Sequence, residues 1–93
     1  MAYRITEVSH DPAKRDEIFA FMDSKRSEIK SIPGFISMDV IEIDEGKSTA
    51  ITRYDSEASA AAAESTAQAI LGGMKDMMTA PPDRKGGGIV WSL

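Results

Sequence analysis

At 93 residues the chain has room for one domain, spanning residues 1–93, and not for two. An apolar share of 42% and a charged share of 28% are those of a globular protein and argue against disorder. Fifteen acidic residues against eleven basic ones leave a net charge of −4, without a basic cluster to hold nucleic acid or an anionic membrane, and the lack of cysteine removes disulfides, thiolate metal sites and cysteine nucleophiles.

Residues 3–9 alternate, with Tyr3 and Ile5 on one side and Arg4, Thr6 and Val8 on the other, the period of a strand. Asp11 can cap a helix, and Pro12 suits the first helical turn, where its missing N–H costs nothing. Over residues 12–32, Ile18, Phe21, Met22, Ile29 and Ile32 share one face at helical spacing, with Lys25 in the middle of the stripe, its stem laid on the core. Pro33-Gly34 stops this helix. Residues 35–43 form the strongest strand, and Asp44-Glu45-Gly46-Lys47 turns it into a hairpin with residues 48–54.

Asp55-Ser56 opens a second helix through an alanine-rich run, with Ala60, Ala63, Ala67, Leu71, Met74 and Met78 on one face. Gly72-Gly73 is expected to weaken or kink it near its middle. Residues 79–88, with Pro81-Pro82 and Gly86-Gly87-Gly88, read as a loop, and residues 89–93 as the last strand. No apolar run of signal-peptide or membrane-spanning length occurs, so the expectation is a cytoplasmic protein.

This order is that of an α+β, ferredoxin-like β-α-β-β-α-β unit: a four-stranded antiparallel sheet with two helices on one face. The second strand is apolar on both sides, Ile36, Met38 and Val40 on one and Phe35, Ile41 and Ile43 on the other. No element remains to cover the second face, and a second copy of the sheet is the economical cover, so a homodimer is expected.

Few residues offer chemistry. His10, the only histidine, stands where the first strand gives way to the first helix; it reads as a general base or as a solvated junction residue beside the cap. Arg53 and Tyr54 end the third strand on opposite faces, and one of them can offer a cation or a phenol to an oxygenated ligand. Asp39, in an otherwise apolar strand, and Glu7 and Arg4 in the first strand read as ligand contacts, or as paired polar residues at a subunit seam or exposed edge positions. Trp91 gives a flat apolar wall or a core or interface anchor, and Met74 with Met77 and Met78 an adaptable lining or ordinary helix packing. One histidine and no cysteine leave no metal site, and neither glycine cluster is a phosphate cradle.

Asp11-Pro12-Ala13-Lys14, Ile32-Pro33-Gly34-Phe35, Arg53-Tyr54-Asp55-Ser56-Glu57 and Pro81-Pro82, in this order through nearly the whole chain, resemble the antibiotic biosynthesis monooxygenase domain of the dimeric α+β barrel superfamily. That resemblance implies a homodimer whose sheets face each other as a barrel, with a cavity between sheet and helices in each subunit. It also implies a small aromatic or quinol-like substrate, oxygenated without metal, flavin or other cofactor. Known sites in the family use an asparagine, absent here, and its haem-degrading members a histidine in the second helix, also absent, so no catalytic residue carries over. The alternative is a non-catalytic homodimer that binds a small apolar metabolite or a protein partner.

Overall fold

A computed structural model describes all 93 residues. Strand β1 (Ala2–Ser9) leads through a 3-10 turn (Pro12–Lys14) into helices α1 (Arg15–Ser24) and α2 (Arg26–Lys30). The hairpin of β2 (Phe35–Asp44) and β3 (Lys47–Tyr54) is followed by α3 (Glu57–Ala62), α4 (Glu64–Gly72), a second 3-10 turn (Lys75–Met77) and β4 (Asp83–Gly88). The strands form one antiparallel sheet in the order β2-β3-β1-β4. This is the ferredoxin-like arrangement, with α1/α2 and α3/α4 as its two interrupted helices. No helix is long and apolar enough to cross a membrane.

Local chemistry places the breaks. The Asp11 carboxylate accepts from the Ala13 N–H at 3.0 Å and Pro12 opens the turn, so the cap works on a 3-10 turn that feeds α1. Ser56 accepts from the Ser59 N–H at 3.0 Å and starts α3 in the same way. The first helix is interrupted at Lys25, whose ammonium lies 5.6 Å from the Phe21 ring and 3.5 Å from Glu28. Gly34 (φ 81°) and Gly46 (φ 74°) occupy the left-handed region that both turns demand. A Cβ on Gly46 would stand 2.7 Å from the His10 carbonyl oxygen.

Three expectations are corrected. Gly72-Gly73 lies at the C-terminal end of α4, where Gly73 donates to the carbonyls of Ala69 and Ile70, and not in mid-helix. The last strand is Asp83–Gly88, within the stretch read as a loop, whereas residues 89–93, read as a strand, lie outside the sheet. Register explains this: Gly88 pairs with Ala2, and the Ile89 N–H donates to Met1 at 2.9 Å. Residues 89–93 lie past the paired end of β1, with Val90 98% and Trp91 75% exposed. Trp91 is therefore no core anchor within this chain.

The third correction concerns β2. A bulge between Phe35 and Ser37 shifts the alternation by one residue. Phe35 consequently joins Met38 and Val40 on the helix-facing side, where it meets Tyr54 edge to face at 6.4 Å. Ile36 is exposed, and Ile41 is left among Ser37 and Asp39 on the other side. The core itself is small: Ala2, Tyr54, Ala60 and Ala63, flanked by Ile32 and Phe35. Only ten of 93 residues are buried and no large side chain fully so, which leaves the isolated chain short of apolar burial for its size.

Candidate functional site

Between the sheet and the helices lies a cavity of about 90 Å³. Its floor is built by alternate strand residues: Thr6, Val8 and His10 from β1 and its end, Ser48, Ala50, Thr52 and Tyr54 from β3, and Met38 and Val40 from β2. The period of two guarantees that these side chains share a face. The roof is the apolar stripe of both helices, including Ile18, Met22, Ile29, Leu71 and Met74. The walls are thus apolar, with polar groups gathered at a few points.

One polar group stands at the His10 end. His10 is 6% exposed, and its backbone N–H donates to the Gly46 carbonyl at 2.9 Å. Ring Nδ1 lies 3.0 Å from the Asp11 carbonyl oxygen, which can only accept, so this contact places the proton on Nδ1 and leaves Nε2 as an acceptor. The junction is therefore buried and oriented, not solvated.

Of the second polar group only Arg4 is among the residues that the sequence singles out. Arg84, on β4 opposite Thr6, donates from Nη1 to Thr6 Oγ1 at 2.6 Å. Its Nε and Nη2 grip the two carboxylate oxygens of Glu64 on α4, each at 3.0 Å. Arg4 Nε approaches the same carboxylate at 3.7 Å, and Gln68 Nε2 donates to it at 3.0 Å. The bidentate hydrogen bond from Arg84 holds the Glu64 carboxyl below its ordinary pKa of 4.5 against the opposing effect of burial. Burial raises Tyr54 above its ordinary 10.0, only partly offset by Arg84 and Arg4, so its phenol is a neutral donor at physiological pH.

Of the side chains singled out from sequence, His10, Tyr54 and Met74 line this cavity. Arg53 does not: it alternates with Tyr54 onto the opposite face, where its guanidinium covers the Tyr3 ring at 5.6 Å and its buried Nε has no partner. Asp39 is exposed beside a separate shallow cleft at the β2 edge, with Arg26 and Lys30. Trp91 is outside the sheet altogether. His10 and Tyr54 also stand far apart. Tyr54 is paired with Ala2, and from residue 2 to residue 10 a strand rises about 26 Å at about 3.3 Å per residue. Thr6, the contact of Arg84, lies about halfway.

Arg84 was hidden because Pro81-Pro82 before it and three glycines after it mark a loop by composition. The usable signal was Thr6, a polar residue at a helix-facing position of the central strand.

A four-stranded sheet with an apolar cavity under two interrupted helices defines a ferredoxin-like α+β domain. A Nitrosomonas europaea protein provisionally described as an antibiotic biosynthesis monooxygenase superposes with a TM-score of 0.80 at 19% identity, over 98% of this chain and 100% of that one. A Deinococcus radiodurans protein with the same provisional description gives 0.82 at 8% identity, over 100% and 96%. NE2512, a Nitrosomonas europaea protein of unknown function, gives 0.78 at 12%, over 99% and 91%. No family model matches the chain, and no curated protein matches it. At such identities the likeness establishes the fold, and chemistry must come from the site.

Proposed function

We propose that this protein works as a homodimer that takes a small, one-ring, quinol-like metabolite into the cavity between sheet and helices and oxygenates it without a cofactor. The observation that carries this reading is the apolar cavity with two separated polar points, Arg84 on Thr6 and the oriented His10. From Thr6 to His10 the strand rises about 13 Å, so the two polar points stand at separate places along the cavity floor. Size selects in the same direction. The cavity of about 90 Å³ is smaller than the roughly 150 Å³ apolar cavity that admits benzene, so one ring requires a slight parting of the helices. Three fused rings would require much more.

In the reaction, Nε2 of His10 removes a proton from the ring substrate and the resulting anion reduces dioxygen. One ring C–H becomes C–OH and the two quinol hydroxyls become C=O: one oxygen atom enters the ring, and the other leaves as water with two hydrogens. All four electrons come from the substrate, so no external reductant is needed. Oxygen uptake with one-ring quinols above the uncatalysed rate tests this. His10→Gln should lower the enzymatic rate by about 100-fold or more, the usual worth of a positioned base. Uptake equal in the variant and the parent would remove His10 from the mechanism. No uptake with any quinol, combined with a ring compound carried through purification and identified by mass spectrometry, would leave a binding protein in place of an enzyme.

The dimer has its own support. The sheet face away from the helices presents Tyr3, Ile5, Ile41 and Ile51, and the free tail adds Val90, Trp91 and Leu93. A second copy covers such a face by symmetry, and the tail adds apolar surface to the contact.

A further inference from the structure

We infer that the Arg84 end of the cavity anchors an anionic oxygen, so that the ligand is a single ring bearing a carboxylate or a phenolate. This rests on the cavity reading above and adds the ligand's charge to it. Two guanidiniums, Arg4 and Arg84, share one carboxylate, that of Glu64. One positive charge is left over in a place largely withdrawn from water, the Arg84 side chain being 13% exposed. Neither Glu57, which accepts from the Gly88 N–H, nor Asp55, which accepts from the Ser59 hydroxyl, forms an ion pair with Arg4 or Arg84.

Hydrogen-bond capacity points the same way. A guanidinium has five N–H groups, and the contacts of Arg84 with Glu64 and Thr6 use three. Two remain, and Arg84 lines the cavity together with the Tyr54 phenol, which burial keeps neutral. Arg4 Nε is buried with no hydrogen-bond partner, so its charge is not fully answered by Glu64 either. Of the remaining lining residues Arg15 is charged and is paired with Glu42 at 2.9 Å, and no carboxylate lines the cavity to oppose this field. A buried, incompletely paired cation draws an anion far more strongly than a neutral group of the same shape.

Benzoate and nitrobenzene match in size and shape and differ in charge, so their binding to the intact protein by calorimetry at neutral pH and low salt reads the anchor directly. Benzoate should bind more tightly by about tenfold or more. Arg84→Gln should abolish that preference while leaving nitrobenzene within about twofold, and Arg84→Lys should retain part of it as a point charge. Lys85→Gln, which removes a positive charge from the opposite sheet face, should leave the preference intact. Nitrobenzene binding as tightly as benzoate to the parent protein overturns the anion anchor and leaves the cavity reading standing. Binding of neither overturns both. The comparison of the two ligands on the parent protein decides the matter by itself, even where Arg84→Gln folds poorly.

Discussion

The Glu64 carboxylate does two things at once: it ties α4 to the sheet and neutralises part of the charge beneath the cavity. Because its folded pKa is lowered, it favours the folded state fully above the unfolded value near 4.5 and loses that contribution as pH falls through the lower folded value. The expected outcome is an acid limb of unfolding that becomes shallower in Glu64→Gln, measured by chemical denaturation between about pH 5 and 2. A limb of unchanged slope would mean that the Arg84 contact is not kept in solution. Thr6 is the other support of Arg84. Thr6→Val keeps the shape and leaves a buried cationic N–H unsatisfied, which should cost about 2 kcal/mol in denaturant midpoint experiments. Both predictions concern residues that composition did not single out. A threonine and a glutamate are ordinary surface residues until the fold sets an arginine between them.

Among the elements, the turns and strand ends decide most. Gly46 combines φ 74° with a backbone oxygen 2.7 Å from any added Cβ, so Gly46→Ala should destabilise the protein by about 1–3 kcal/mol. It should also displace His10, whose N–H donates to the Gly46 carbonyl, and lower any His10-dependent rate. A variant of parental stability and rate would show the hairpin turn to be more yielding than its geometry implies. Ser56→Ala removes the α3 cap and should cost about 1 kcal/mol. Helix positions were legible because the 3.6-residue stripe, the caps and the Pro33-Gly34 stop all act locally. β4 was not, because Asp83–Gly88 is poor in strand-forming residues and is extended only through its bonds to β1. Its apolar successor, residues 89–93, has the composition of a strand and lacks a partner.

For the whole molecule, scarce internal burial and the apolar residues on the outer face, Tyr3, Ile5, Ile41 and Ile51 among its polar ones, together favour association. Sedimentation at micromolar concentration should show a dimer, and Ile51→Asp, which puts a charge on the outer face, should shift it to monomer. Trp91, the only tryptophan, reports on the tail separately. Its emission should be blue-shifted in the dimer and move towards that of a solvated indole on dilution. A well-folded monomer with a fully solvated Trp91 at all concentrations would contradict the homodimer and the role of its tail.

Local rules within the sequence determined the helices, the hairpin and the ferredoxin-like class, since periodicity, capping and glycine turns each act over a few residues. They set Met74 on the apolar helix face, but left open which of Arg53 and Tyr54 faces the cavity and whether His10 is buried. Only the tertiary structure decided which strand sits beside β1, how the bulge turns Phe35 inward, and that Arg84 meets Thr6 and Glu64. Such contacts depend on sheet register between segments up to 78 residues apart, and register is set by the packing of the whole sheet, not by the composition of either segment.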